Sequence, residues 1–384
     1  MTDVVQLFTG VGVLIDDEIQ DNKSNVQKVI NSFEDYHIPL LKYSCLPTDD
    51  EIMNMHSVSF VLLDWKWIQG VSDDYLLKEN VAFIKKIHDI CFTPIFIFTN
   101  ENPDDIIRSL IEEGVYFEDK NNLIFVKYKD EVDNPSKLFS SIDYWVKNTL
   151  SVYVIKEWEN KIRSATKRLF KNLYEINPNW VNVFLTASKK DSIDAAFELD
   201  GLLFENLHSQ MTYINLQDLP KQDATISYNP DEIRLVMQGQ RFISNEKELS
   251  DMVFTGDIFK ETIDGKDIYY INVRPQCDCI PRDGMQINDV FLYLVQGEEK
   301  EIKKCSFNKT FGNFADTENR FTIFPINHKA IQFNLGHFSM RKYSEIRHIR
   351  IGRLLPPFIT RLIQKYALYM QRQALPRIPE EATN

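Results

Sequence analysis

The chain has 384 residues, of which 43% are hydrophobic and 26% charged, values that are ordinary for a globular protein of two or three domains. No stretch approaches the roughly 18 consecutive apolar residues of a membrane span, and the N-terminus lacks the pattern of a secretory signal. The five cysteines are scattered and odd in number, which is typical of a reducing compartment. We therefore expect a cytoplasmic protein with no membrane anchor.

The net charge of −12 is unevenly distributed along the chain. Residues 1–150 carry 26 acidic and 13 basic side chains, whereas residues 325–384 carry ten Lys/Arg and three acids. The acidic half is not expected to bind a polyanion by itself. The basic tail could face either nucleic acid or the acidic half of the same chain.

Short apolar runs alternate with amphipathic stretches over residues 1–149. The apolar runs predict strands at Val11–Ile15, Ser59–Leu63, Pro94–Phe98 and Leu123–Val126. The amphipathic stretches predict helices at Asn25–Tyr36, Tyr75–Ile90, Pro103–Glu113 and Pro135–Thr149. Continuous apolar strands between helices predict a parallel sheet that is covered on both faces, in a doubly wound, flavodoxin-like α/β domain.

The rest of the chain changes character twice. Residues 150–245 predict a helical connector, in which apolar residues recur every three or four positions from Ile155 to Ile176. That stripe suits either a homodimer seam or packing within the chain, and we favour the latter. Residues 246–384 predict a small antiparallel β-module with strands at 267–274, 289–295, 321–325 and 330–335, followed by a helical tail over 343–374 that Pro356 and Pro357 interrupt.

Each predicted strand of residues 1–149 is followed by a polar or reactive residue. Asp16 and Asp17 follow the first strand, Asp64 the second, Thr99 the third and Lys127 the fourth. Parallel strands bind their ligands beyond their carboxyl ends, so these side chains are expected to meet at one edge. Clustered carboxylates suit Mg²⁺, a carboxylate can act as a nucleophile toward phosphorus, and a hydroxyl and an ammonium can neutralise phosphoryl oxygens.

This set and its order resemble the receiver domains of bacterial response regulators, over roughly residues 10–147. The resemblance implies that Asp64 accepts a phosphoryl group, that Asp16 and Asp17 hold Mg²⁺ with Asp64, and that Thr99 and Lys127 contact the phosphoryl group. It also implies a phosphorelay role rather than an enzyme, with a histidine kinase as phosphodonor. The sequence departs from the family at Tyr128, where most receivers have proline, and at Ile124, where an aromatic residue is usual.

The output of residues 150–384 is not evident from motifs. The sequence has no Walker-type phosphate loop, no kinase signature and no helix-turn-helix pattern. Cys277 and Cys279 are spaced too closely for a typical structural zinc site, so we interpret them as packing residues. Two alternatives stay open: an unphosphorylated pseudo-receiver scaffold, and an effector that binds nucleic acid through residues 341–377, for which we expect only weak DNA binding.

Overall fold

The computed structural model describes residues 4–21, 24–117, 122–132, 134–190, 195–215, 227–247, 252–282, 284–305, 307–309, 313–314, 317–326, 329–372 and 382. The chain divides into two compact units, the first comprising residues 1–176 and 205–223, the second residues 177–204 and 224–384. No helix in these ranges combines the length and the apolarity that crossing a bilayer requires.

The first unit contains a sheet of five strands, all parallel to one another. The strands are β1 (Val11–Ile15), β2 (Leu40–Tyr43), β3 (Val58–Leu63), β4 (Ile95–Thr99) and β5 (Ile124–Tyr128), in the spatial order β2-β1-β3-β4-β5. The predicted parallel sheet is therefore confirmed. The prediction missed β2, a short edge strand whose residues are all partly or fully exposed, so that it lacks the apolar run of the central strands.

Helices cover both faces of this sheet. They are α1 (Val4–Leu7), α2 (Asn25–Asp35), α3 (Asp49–Ile52), α4 (Asp73–Ile90), α5 (Pro103–Glu112), α6 (Pro135–Asn148) and α7 (Leu150–Ile176). One core lies between the sheet and helices α1, α2, α6 and the start of α7, with Phe33, Phe60 and Phe96 at its centre. A second core lies on the opposite face against α3, α4 and α5. Two buried faces explain why the central strands are apolar at nearly every position, while Ser59 in β3 and Thr99 in β4 are buried polar residues.

The long helix α7 belongs to the first unit through specific contacts. Lys156 is buried, and its Nζ donates to the carbonyl of Ser59 at 2.8 Å and to Glu159 at 2.5 Å. Asn160 donates from Nδ2 to the carbonyls of Gln6 and Leu7. The helix that the sequence predicts after residue 150 is thus confirmed, and its first turns pack on the parallel-sheet unit.

The second unit combines helices with a seven-stranded sheet of antiparallel pairs. Its helices are α8 (Trp180–Lys190), α9 (Ala195–Gln210, within which the division between the units falls), α10 (Pro230–Gly239), α11 (Gln276–Cys279), α12 (Tyr343–Ile346) and α13 (Phe358–Gln371). Its strands are β6 (Phe242–Ser244), β7 (Asp257–Ile263), β8 (Lys266–Asn272), β9 (Phe291–Lys300), β10 (Phe307–Asn308), β11 (Asn313–Phe314), β12 (Arg320–Ile326), β13 (Lys329–Lys342) and β14 (Arg350–Leu354).

The order of the large sheet is β12-β13-β9-β8-β7-β14-β6, while β10 and β11 form a separate pair. The antiparallel module is therefore confirmed, and so is the helix after Pro356 and Pro357, but the helix expected between residue 343 and these prolines is wrong over residues 350–354. Residues 350–354 form β14, which lies between β7 and β6. Burial alternates along Arg-Ile-Gly-Arg-Leu, as expected for a strand.

Candidate functional site

The candidate site lies at the carboxyl edge of the parallel sheet. Asp16 directly follows β1 and Asp64 directly follows β3, and the two strands are neighbours in the sheet. The backbone N–H of Asp64 donates to the carbonyl of Ile15 at 2.9 Å, which holds the two strand ends together. The buried apolar runs of β1 and β3 thus fix where these carboxylates emerge.

The sequence-predicted carboxylates do converge. Asp16, Asp17 and Asp64 each offer an oxygen, and these oxygens all lie within 4.8 Å of one another. Asp16 and Asp64 are buried, and Oδ1 of Asp16 accepts the N–H of Glu18 at 2.9 Å. Oδ2 of Asp17 accepts from Gln69 at 3.3 Å, while its Oδ1 is buried without a hydrogen-bond partner. This cluster concentrates three carboxylates in one pocket.

Among the described residues, Lys129 is the lysine whose side chain lies between these carboxylates. Its side chain is 2% exposed, and its Nζ lies 2.8 Å from Oδ2 of Asp16 and 3.1 Å from Oδ2 of Asp64. It follows β5 as the first residue of a short 3₁₀ helix, Lys129–Val132. The turn of the chain at this point carries the ammonium group between the two carboxylates.

Lys127, the lysine that the sequence prediction assigned to the pocket, is not brought to the carboxylates. Its side chain is 39% exposed, and its Nζ pairs with Glu131 at 2.8 Å. The cause is that β5 continues to Tyr128 instead of ending before Lys127, so that Lys127 is still paired with Phe98 in the sheet. The sequence Lys127-Tyr128-Lys129 contains two lysines that could reach the carboxylates, and the residue at which β5 ends decides which of them does.

Burial and the neighbouring charges together shift the pKa values of Asp64 and Lys129. Burial raises the pKa of Asp64 to about 6, the negative charge of Asp16 also raises it, and the ammonium of Lys129 partly offsets both. Burial alone would lower the pKa of Lys129, but attraction to Asp64 and Asp16 outweighs burial, and the pKa of Lys129 is raised. At neutral pH the pocket therefore holds a lysine cation between carboxylates, and Asp64 is mostly ionised.

Thr99 lies at the end of β4, where the sequence predicts it. The residue is fully buried, and its Oγ1 accepts the backbone N–H of Glu101 at 3.0 Å. In the sheet it is paired with Tyr128, directly before Lys129. Thr99 thus occupies the same edge as the acidic cluster, on the strand beside β3.

The loop after Asp64 is held by a buried residue that the sequence analysis did not single out. Asn80 on α4 is fully buried, accepts the indole N–H of Trp67 at 2.8 Å and donates to the carbonyl of Trp65 at 2.9 Å. Both tryptophans are buried in the core of this face. An amide in the apolar repeat of α4 was the available signal, since a buried amide requires hydrogen-bond partners.

Two arginines of the basic tail are engaged within the second unit. Nε of Arg353 lies 2.6 Å from Oδ1 of Asp257, and Arg350 lies 3.6 Å from its Oδ2. Asp257 is fully buried and Arg350 is 7% exposed. These side chains therefore connect β14 to β7. Cys279 is buried with Asn272 as a hydrogen-bond partner, whereas Cys277 is exposed.

Comparisons with known proteins add little to this geometry. No model of a known family and no curated protein matches the chain. Among solved structures, one similar chain is a yeast Spc42 trimeric coiled-coil segment fused to another structure. It is 10% identical, the match covers 45% of this chain and 96% of that one, and the TM-score is 0.27, too low to support an argument about fold or function.

Proposed function

We propose that the first unit is a receiver-like domain of the flavodoxin-like class, in which Asp64 accepts a phosphoryl group in a phosphorelay. The observation that carries the proposal is the pocket itself, where Asp16, Asp17 and Asp64 converge beside the buried ammonium of Lys129. The strand order 2-1-3-4-5 supports it, because this order belongs to the class of doubly wound folds that includes receivers.

The donor set fits a magnesium ion. Carboxylate oxygens are the ligands that Mg²⁺ prefers, and Oδ1 of Asp17 is a buried oxygen that lacks a hydrogen bond. Asp16, Asp17 and Asp64 would hold the ion, which would supply positive charge for phosphoryl oxygens. Only one buried lysine faces these carboxylates among the described residues, so the pocket still carries an excess of negative charge that a divalent cation can compensate.

Three residues of the chain have separate roles in the proposed phosphoryl transfer. An ionised oxygen of Asp64 attacks phosphorus, the bond from phosphorus to the donor breaks, and an aspartyl phosphate forms. We assign to Lys129, instead of Lys127, the role of neutralising a phosphoryl oxygen, and to the hydroxyl of Thr99 that of a hydrogen-bond donor. The donor would be a histidine kinase, and the five free cysteines favour the cytoplasm as the place of the reaction.

A second candidate function is a pseudo-receiver scaffold that is never phosphorylated. The observation that favours it is the position of Lys129, whose ammonium already bridges Asp16 and Asp64. If this ammonium permanently replaces a metal ion, the domain has a stable closed pocket and serves as an interaction module. The two candidates differ in whether Mg²⁺ and a phosphoryl group can enter.

Tryptophan fluorescence distinguishes these candidates, because Trp65 directly follows Asp64 and is 7% exposed. We expect Mg²⁺ followed by beryllium fluoride, a phosphoryl mimic, to change the emission of the wild-type protein. The change should disappear in Asp64→Asn and persist in a Lys127→Met control. A folded wild-type protein whose emission responds to neither addition would favour the scaffold.

A further inference from the structure

An exposed cluster of aromatic and sulfur-containing side chains occupies one face of the second unit's sheet. We call it the aromatic face and define it by Phe291 and Tyr293 on β9 and Phe338 and Met340 on β13. Tyr293 is paired with Met340 across the two strands, so the four side chains point to the same side. Phe291 is 43% exposed, Phe338 44% and Met340 53%.

The rings of this face are ordered by contact with one another. The rings of Tyr293 and Phe338 meet edge to face, with centroids 5.9 Å apart. On its other side the ring of Phe338 stacks on that of Tyr366 in α13, with centroids 6.2 Å apart and an interplanar angle of 18°. Tyr366 and Ile363, one turn earlier in α13, pack on the core. The face is therefore a preorganised surface of rings at the rim of the core, and not a set of unrelated exposed side chains.

Two cations border the aromatic face. The guanidinium of Arg274 lies 5.1 Å from the centroid of Tyr293 and donates to the carbonyl of Phe291. The ammonium of Lys342 lies 5.7 Å from the centroid of Phe291 and bonds to Asp289 at 3.2 Å. Arg274 forms no ion pair with any acid in the described ranges, and its Nε is buried without a hydrogen-bond partner. Arg274 thus gives the border an uncompensated positive charge, whereas the charge of Lys342 is paired with that of Asp289.

We propose that the aromatic face binds single-stranded nucleic acid. Unpaired bases stack on exposed rings, while arginine and lysine beside the rings contact the phosphates. Arg274 supplies charge complementarity to a phosphate, because it lies against Tyr293 and forms no ion pair with any acid in the described ranges. A duplex fits poorly, because its bases are already stacked. A second copy of the chain is the competing occupant, and sedimentation distinguishes it from nucleic acid.

The test is fluorescence anisotropy of a labelled oligouridine RNA of about 12 nucleotides, a length within the site size of single-strand-binding domains. We expect binding with a log–log salt slope of about −1.4, because two phosphate contacts each contribute about −0.7 on single strands. Phe338→Ala should weaken binding about 10-fold through the loss of one stacked base. Arg274→Gln, which keeps every ring, should weaken binding and reduce the slope by about half.

The matched control is Tyr144→Ala, which removes an aromatic side chain that is 73% exposed on α6 of the first unit. It should leave RNA affinity unchanged, and melting curves should show that all variants are folded. The proposal is overturned if oligouridine does not bind, if a duplex binds equally well, or if neither Phe338→Ala nor Arg274→Gln affects affinity. Sedimentation that shows a dimer dissociated by Phe338→Ala would also overturn it, in favour of a second copy. None of these readouts depends on Asp64.

Discussion

Replacing Lys129 by methionine tests whether this lysine is the cation of the acidic pocket. The side chain is 2% exposed and contacts two buried carboxylates at 2.8 and 3.1 Å. Removing one partner of a buried ion pair leaves uncompensated charge and typically costs about 3–5 kcal/mol. We therefore expect Lys129→Met to lose about that much free energy of unfolding at pH 7, measured by urea denaturation with a chelator present.

Lys127→Met is the matched control, because the same substitution is made two residues earlier. Lys127 pairs with Glu131 near the surface, and such pairs contribute about 0–1 kcal/mol. The deficit of Lys129→Met should also depend on pH. Without the ammonium, the pKa of Asp64 rises further above its unfolded value, so stability is lost as pH increases and the deficit grows from pH 4 to pH 7.

Addition of Mg²⁺ extends the same experiment. A divalent cation bound by Asp16, Asp17 and Asp64 would replace the missing positive charge and stabilise Lys129→Met by mass action. The reasoning is refuted if the two lysine variants lose equal stability, or if Lys127→Met loses more. A deficit that does not change between pH 4 and pH 7 would refute the electrostatic cause.

Three other substitutions have defined outcomes. In the folded protein without metal the pKa of Asp64 is about 6, above the ordinary value of 3.8. The free energy of unfolding should therefore fall by about 3 kcal/mol as pH rises from below 4 to 7. Asp64→Asn should remove this pH dependence, measured by urea denaturation at each pH. Asn80→Ala should lower the free energy of unfolding by about 1–3 kcal/mol, because the indole N–H of Trp67 is left buried and unpaired, and it should slow any phosphorylation of Asp64. Unchanged stability would contradict the conclusion that Asn80 holds the loop after Asp64. Ile162→Asp should lower the unfolding midpoint without changing the sedimentation coefficient, because Ala165 and Leu169 of the same apolar repeat in α7 are buried within the chain. If the wild type is a dimer and the variant a folded monomer, this repeat is a homodimer interface instead.

The central part of the first unit could be predicted from the sequence because its signals are local. The apolar runs of β1, β3, β4 and β5 are continuous, and the helices between them have clear N-caps, such as Asn102 before α5 and Asn134 before α6. The convergence of Asp16, Asp17 and Asp64 followed from the parallel arrangement, since strand ends meet at one edge.

The features that the sequence did not predict depend on contacts between distant residues. The presence of Lys129 instead of Lys127 at the carboxylates depends on two additional residues at the end of β5 and on the 3₁₀ turn after it, and neither has a sequence signal. The strand β14 depends on pairing with β7 and β6, about 100 residues away, and on the buried Asp257 that compensates Arg350 and Arg353. The aromatic face depends on the register between β9 and β13.

The most direct test of the central claim is the intact mass of the protein after incubation with Mg²⁺ and a small-molecule phosphodonor such as acetyl phosphate. If Asp64 is the acceptor, wild type should gain one phosphate that is labile to acid and removed by hydroxylamine, and Asp64→Asn should gain none. Lys129→Met should be labelled more slowly than Lys127→Met, because the ammonium of Lys129 lies 3.1 Å from Asp64, whereas that of Lys127 pairs with Glu131. No adduct on wild type, under conditions that label a control receiver, would contradict the account, as would an adduct that persists in Asp64→Asn.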